Sequence, residues 1–151
     1  MSASATIAGF LRAGILCVLW CTSAALAADA PGPSLEQGLT GRILEAANVD
    51  GGVIVHVNCG NGKLTAALRA NDRFLVQGLD TDGERVAEAR ATVRGLGLYG
   101  PVAVDRFDRT RLPYAESMVN LIVIGGPSSL DREELLRVLA PGGVAVTVAA
   151  D

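Results

Sequence analysis

Apolar runs of strand length alternate along the chain with segments of helical spacing. The runs are Val53–Val57, Phe74–Leu79, Val102–Phe107, Leu121–Ile124 and Val144–Ala149. Helices are predicted between them from about Lys63 to Ala70, Gly83 to Arg94 and Leu130 to Leu139. Upstream, Leu35, Leu39 and Ile43 recur every four residues and predict a further amphipathic helix ending before Asp50-Gly51-Gly52. It opens on Ser34-Leu35-Glu36-Gln37, a capping-box pattern in which the serine hydroxyl accepts from a helix amide and the glutamine reaches back. Strands apolar on both faces and separated by helices belong to a parallel sheet covered on both sides. The pattern therefore predicts an α/β fold with a doubly wound, mostly parallel sheet. Only the stretch from Phe107 to Leu121 shows no obvious helix between two strands.

In such sheets ligands bind beyond the carboxyl ends of the strands, where the strand order reverses. The strand ends to read are Asn58–Gly62, Asp80–Asp82, Asp108 and Gly125–Ser128. In VIVHVNCGNGKLTAAL (Val53 to Leu68), Gly60 and Gly62 permit a tight bend and the approach of a ligand to the backbone, and a helix follows. Asp80 closes the second strand eighteen positions beyond Gly62, where a carboxylate can accept both hydroxyls of a ribose. Turn and acid together outline a nucleoside site.

Spacing discriminates among the cofactors that use this outline. A P-loop needs Ser or Thr after Gly-Lys, but Leu64 follows Gly62-Lys63, and Val57 stands at the place of the first glycine. A dinucleotide fingerprint needs Gly or Ala where Thr65 stands, although Asp80 falls twenty positions after Gly60 as that reading requires. An NAD-dependent oxidoreductase is thus the weaker alternative.

The runs VIVHVNCGNGKLTAAL, VQGLDTDGERVAEAR, VDRFDRTRLPYAESMVNLIVI and ELLRVLAPGGVAVTV are similar in order and spacing to small type 11 class I S-adenosylmethionine-dependent methyltransferases. Leu112-Pro113-Tyr114 and Arg137–Gly143 are the most specific pieces. The resemblance implies a Rossmann-like methyltransferase fold, cut short after the fifth strand, with S-adenosylmethionine as cofactor and a small-molecule acceptor. It implies that Gly60 and Gly62 line the methionine part, Asp80 binds the ribose and Asp108 accepts from the adenine amino group. With the flanking strand-end positions, the candidate cofactor-binding set is His56, Asn58, Gly60, Gly62, Asp80, Thr81 and Asp108.

The chain departs from the family pattern in several places. His56 stands where an acid is usual, so an imidazole, neutral or cationic near pH 7, replaces a carboxylate near the cofactor's ammonium. Asn58 replaces a glycine, and Asn is the residue that best tolerates a positive φ in its stead. Asn120 stands where Asp is usual and reads as a polar residue at a strand edge. Gly125-Gly126-Pro127-Ser128 is not the Asn/Asp-Pro-Pro-aromatic motif that grips nucleic-acid bases, and it offers no general base. Catalytic residues are therefore unassigned, and methyl transfer would rely on in-line positioning. With one histidine and Cys59 as the cysteine left after processing, no metal site is expected.

Composition narrows the partners. The chain has 151 residues, 50% hydrophobic, with net charge -3 and 4% aromatics, which suits one domain with a substantial core and disfavours nucleic acid as a partner. Residues 1–27 read as a secretory signal peptide, with Arg12 before AGILCVLWCTSAALA and the small-x-small triplet Ala25-Leu26-Ala27. A membrane anchor is the alternative. Residues 28–33 read as a linker and 34–151 as the methyltransferase-like domain, exported and without a membrane span once processed. Such a chain resembles the front of exported proteins in which a degenerate methyltransferase-like domain precedes a PQQ-type β-propeller. Export favours a non-catalytic binding or scaffold domain as the second reading, because S-adenosylmethionine is a cytoplasmic metabolite. Oligomeric state is not legible.

Overall fold

The computed structural model describes residues 35–148. The signal-peptide, linker and Ser34 cap assignments lie outside the described residues, as does the end of the chain from residue 149. The elements run α1 (Leu35–Ala47), β1 (Gly52–Val57), α2 (Lys63–Ala67), β2 (Phe74–Asp80), α3 (Gly83–Gly95), β3 (Val102–Arg106), β4 (Val119–Gly125), α4 (Arg132–Val138) and β5 (Leu139–Val148). The five strands form one sheet in the order β3-β2-β1-β4-β5, and every pairing is parallel. The doubly wound reading holds.

Two apolar clusters lie on the two faces of the sheet, as strands apolar on both sides demand. One joins Ile54, Val76, Val104, Leu121 and Val123 to Ile43 and Ala47 of α1 and Val86, Ala89 and Val93 of α3. The other joins Val55, Val57, Leu79, Ile122 and Ile124 to Leu112 and to Val138 of α4. Alternate residues of β1 thus serve opposite clusters.

The stretch without a predicted helix is indeed a loop, and it is held by α4. Glu134 Oε1 accepts from the Leu112 amide at 2.7 Å, while Arg137 donates to the carbonyls of Tyr114 (2.9 Å) and Leu112 (3.2 Å) and to both Glu134 oxygens (2.8 and 2.7 Å). Leu112 is driven fully into the core. Leu112-Pro113-Tyr114 and the segment beginning at Arg137 therefore meet each other.

Some boundaries differ from expectation. α2 ends at Ala67 and α4 starts at Arg132, each shorter than predicted. β5 starts at Leu139, five residues early, because Leu139 pairs with Val119 and then Ala140–Gly143 bulge out before Val144 pairs with Leu121. Gly142 takes φ +79, and a Cβ at Gly143 would come within 2.9 Å of two carbonyl oxygens, so the bulge needs its glycines. Asn120 does more than sit at an edge. Its Oδ1 accepts from the Val53 amide at 2.9 Å and fills the space beside Gly52, tying the start of β1 to β4. Among the described residues no helix is long and apolar enough to cross a membrane.

Candidate cofactor site

β1 is the strand where the order reverses, since β2 lies on one side of it and β4 on the other. A crevice of about 530 Å³ opens beyond these strand ends. Asn58, Asp80, Thr81, Asp82 and Gly125 line it from the strand ends, with Arg85 of α3, Phe107 and Arg109 after β3, and Pro127, Ser128 and Ser129 after β4.

Asn58 adopts φ +58, as the departure from glycine requires, and its Nδ2 donates to the Pro127 carbonyl at 2.9 Å. The turns after β1 and β4 are thereby fastened together across the switch point. Gly60 has φ +54, and a Cβ there would meet no atom within 4 Å, so its backbone borders open space. Gly62 is different. It is buried, and a Cβ would lie 2.8 Å from the Ala89 backbone, so this glycine admits α3 and leaves no face for a ligand.

Asp80 is 2% exposed and faces the turn. One carboxylate oxygen accepts from the Gly60 amide at 3.1 Å, and the other from the amides of Thr81 (2.8 Å) and Asp82 (3.1 Å). A carboxylate has about four acceptor positions, so about one is left. Accepting two ribose hydroxyls therefore requires Asp80 to release one of these amides. The carboxylate, the glycine backbone, the volume and the apolar Phe107 together fit a nucleoside, with that one exchange.

His56 does not line the crevice. It is 3% exposed, with Nδ1 2.8 Å from the Thr65 hydroxyl and Nε2 close beside Gly125. Burial lowers its pKa to about 4, against the pull of the Asp80 charge, so it is neutral at pH 7. The usual acid is replaced by an uncharged group. The Thr65 hydroxyl also reaches Cys59, whose thiol is pushed up to about 12 by burial and by Asp80. The Thr65 methyl side faces Gly78, where a Cβ would lie 3.1 Å from it. The small residue needed for close contact between α2 and the sheet is thus supplied by β2.

Asp108 also lies outside the crevice. It is exposed, borders a neighbouring hollow with Arg106, Phe107, Arg111 and Pro113, and accepts from the Thr110 amide at 3.1 Å. Hydrogen bonds from Thr110 hold its carboxyl below the usual range. The next residue enters instead. Arg109, at φ +71, donates from Nε and Nη2 to the Thr81 hydroxyl at 3.2 and 2.7 Å. Of the candidate set, Asn58, Asp80 and Thr81 line the crevice, Gly60 adjoins it through Asp80, and His56, Gly62 and Asp108 do not. Arg85, Phe107, Arg109 and Ser129 were missed. Arg109 carried a signal, standing beside a flagged strand-end acid.

Among the described residues no cluster of His, Cys, Asp and Glu suits a metal ion. The architecture and the crevice define an α/β domain with a candidate nucleoside site. Residues 54–143 match the model of the methyltransferase domain, and the chain belongs to that family. No curated protein matches it in sequence. Among solved structures it is similar to a Methanococcus maripaludis protein assigned as an S-adenosyl-L-methionine-dependent methyltransferase. The identity is 20% and the TM-score 0.68, covering 76% of this chain and 55% of that one. It is similar to the [4+2]-cyclase SpnF at 25% identity and TM-score 0.65, covering 74% and 43%. It is also similar to geranyl diphosphate methyltransferase in complex with S-adenosylmethionine, at 21% identity and TM-score 0.65, covering 75% and 48%. The chain spans about half the length of these structures. The matches support neither the β-propeller nor export.

Proposed function

We propose that this domain binds S-adenosylmethionine in the crevice beyond β1, β2 and β4 and transfers its methyl group to a small-molecule acceptor. The observation that carries this reading is the buried Asp80 carboxylate facing the Gly60 backbone at the crevice floor. Asp80 would hold the ribose, the Gly60 backbone would border the methionine part, and Asp108 would reach the adenine by turning inward from its present hollow. When bound, the cofactor supplies an electrophilic methyl group on a sulfonium. The chain's own contribution is to orient that group and shield it from water. Family membership and the similar geranyl diphosphate methyltransferase support the cofactor.

Isothermal titration with S-adenosylhomocysteine, S-adenosylmethionine and NAD tests the reading. Binding of the first two but not NAD, abolished by Asp80→Ala, is expected. Tight binding of NAD, or retention of S-adenosylhomocysteine by Asp80→Ala, would reverse it.

A binding domain without turnover is the second reading. It is favoured by an Asp80 already occupied by three amides and by a neutral His56 in the place of an acid. The similar [4+2]-cyclase is a further reminder that this fold does not decide the reaction. Export through residues 1–27 rests on their signal-like sequence, and so does the link to a propeller-bearing protein. Sequencing the N-terminus of the processed chain would show whether it ever meets a cytoplasmic donor.

A further inference from the structure

The crevice has an acidic floor and a basic rim. On a chain of net charge -3, two guanidinium groups donate to one residue, Thr81, and a third lines the crevice with it. Arg106 Nε donates to the Thr81 carbonyl at 3.0 Å, Arg109 donates twice to the Thr81 hydroxyl, and Arg85 lines the same crevice. Their charges are poorly answered. Among the described residues Arg106 and Arg109 have no carboxylate within 4.0 Å, and Arg85 has only Asp82, at 3.9 Å. Asp82 is itself engaged, its Oδ1 accepting from the Glu84 amide at 2.9 Å.

The two donors of Arg109 that touch Thr81 are the Nε and Nη2 pair, the edge whose spacing matches two oxygens of a carboxylate or phosphate. In this structure that edge is spent on one uncharged hydroxyl. A charged oxygen pair is the stronger acceptor and would displace it at little cost, because Thr81 lies at the crevice and its hydroxyl can be met by water or ligand.

We propose that Arg109 and Arg85 form an oxyanion subsite at the Thr81 end of the crevice, receiving a phosphate or carboxylate group of a ligand. The oxyanion belongs to an acidic acceptor lying beside the nucleoside. The inference rests on the nucleoside reading only for what fills the rest of the crevice.

The test titrates inorganic phosphate into the full chain at low ionic strength, with and without saturating S-adenosylhomocysteine. Phosphate is expected to bind, and Arg109→Gln and Arg85→Gln are each expected to weaken it at least tenfold. Arg94→Gln, whose guanidinium instead lies over the Tyr99 ring at 5.2 Å, should leave it unchanged. All three side chains are on the surface, and an unaltered Tm will show that the variants are folded. Phosphate that still binds beside S-adenosylhomocysteine supports the subsite and assigns the oxyanion to the acceptor. Phosphate displaced by it, S-adenosylhomocysteine having no phosphate of its own, overturns the proposal that an acceptor's oxyanion is received beside the nucleoside. A phosphate Kd weaker than about 10 mM, or one indifferent to Arg109→Gln, overturns the proposal. Failure of S-adenosylhomocysteine to bind while Arg109-dependent phosphate binding persists would instead sink the methyl-donor reading and leave the subsite standing.

Discussion

His56 is the chain's one histidine, and its burial makes the stability of the domain depend on pH in a window where few other side chains titrate. Its pKa falls from 6.5 in the unfolded chain to about 4 in the fold, chiefly by burial. Above pH 7 the imidazole is neutral in both states and contributes nothing to the pH dependence. Below 6.5 the unfolded chain takes up a proton that the folded one refuses, so stability falls as pH drops, by up to about 1.4 kcal/mol per pH unit. Once the pH is below about 4 both states are protonated, and the accumulated loss levels off at about 3 kcal/mol. Urea unfolding from pH 4 to 8, compared between the native chain and His56→Gln, isolates this contribution from those of the carboxylates. The difference between the two proteins should shrink by about 3 kcal/mol in favour of the variant on going from pH 8 to pH 4. The C–H resonances of the single imidazole offer a direct check, with a midpoint near 4 in the folded chain. A folded-state midpoint near 6.5, or a pH profile indifferent to the substitution, would refute the argument that His56 is buried and neutral.

Four further outcomes are expected. Gly62→Ala must hold an alanine at φ +78 against the Ala89 backbone and should cost about 3 kcal/mol by urea unfolding, whereas Gly60→Ala, with open space around it, should cost about 1. Arg137→Ala removes two hydrogen bonds to the loop before β4 and two to Glu134, and should lower Tm by about 5 °C or more. Glu134, held at about 2 chiefly by its hydrogen bond from Arg137, loses its stabilising effect as pH falls from 4.5 towards 2. That acid-side loss should be smaller in Arg137→Ala when unfolding is followed across the same range. Asn58→Gly keeps the positive φ but loses the bond to Pro127, so hydrogen exchange should quicken at residues 125–129 with little change in global stability, while Asn58→Ala should also lower the urea midpoint.

The sheet was legible because its strands are apolar on both faces, a pattern that few arrangements other than a covered parallel sheet satisfy. The strand ends were legible for the same reason, and with them Asn58 and Asp80. Side-chain direction beyond those ends was not. Asp108 and Arg109 are neighbours, and it is the +71° φ of Arg109 that brings the guanidinium into the crevice while the acid faces outward. Gly62 was misread for a related reason. A glycine pair in a turn looks the same whether the missing Cβ admits a ligand or a helix, and only the position of Ala89 decides. The β5 boundary was missed because Ala140–Gly143 read as lying before the strand, although they are a bulge within it.

The junction of Leu112-Pro113-Tyr114 with Arg137 has a consequence for kinship among such chains. These segments make the lineage recognisable, yet none of their residues lines the crevice. Descendants that abandon chemistry can keep the brace for the sake of folding, so ancestry and activity are free to part company. In chains of this kind the brace marks descent, and the residues of the crevice have to be read separately for what the protein does.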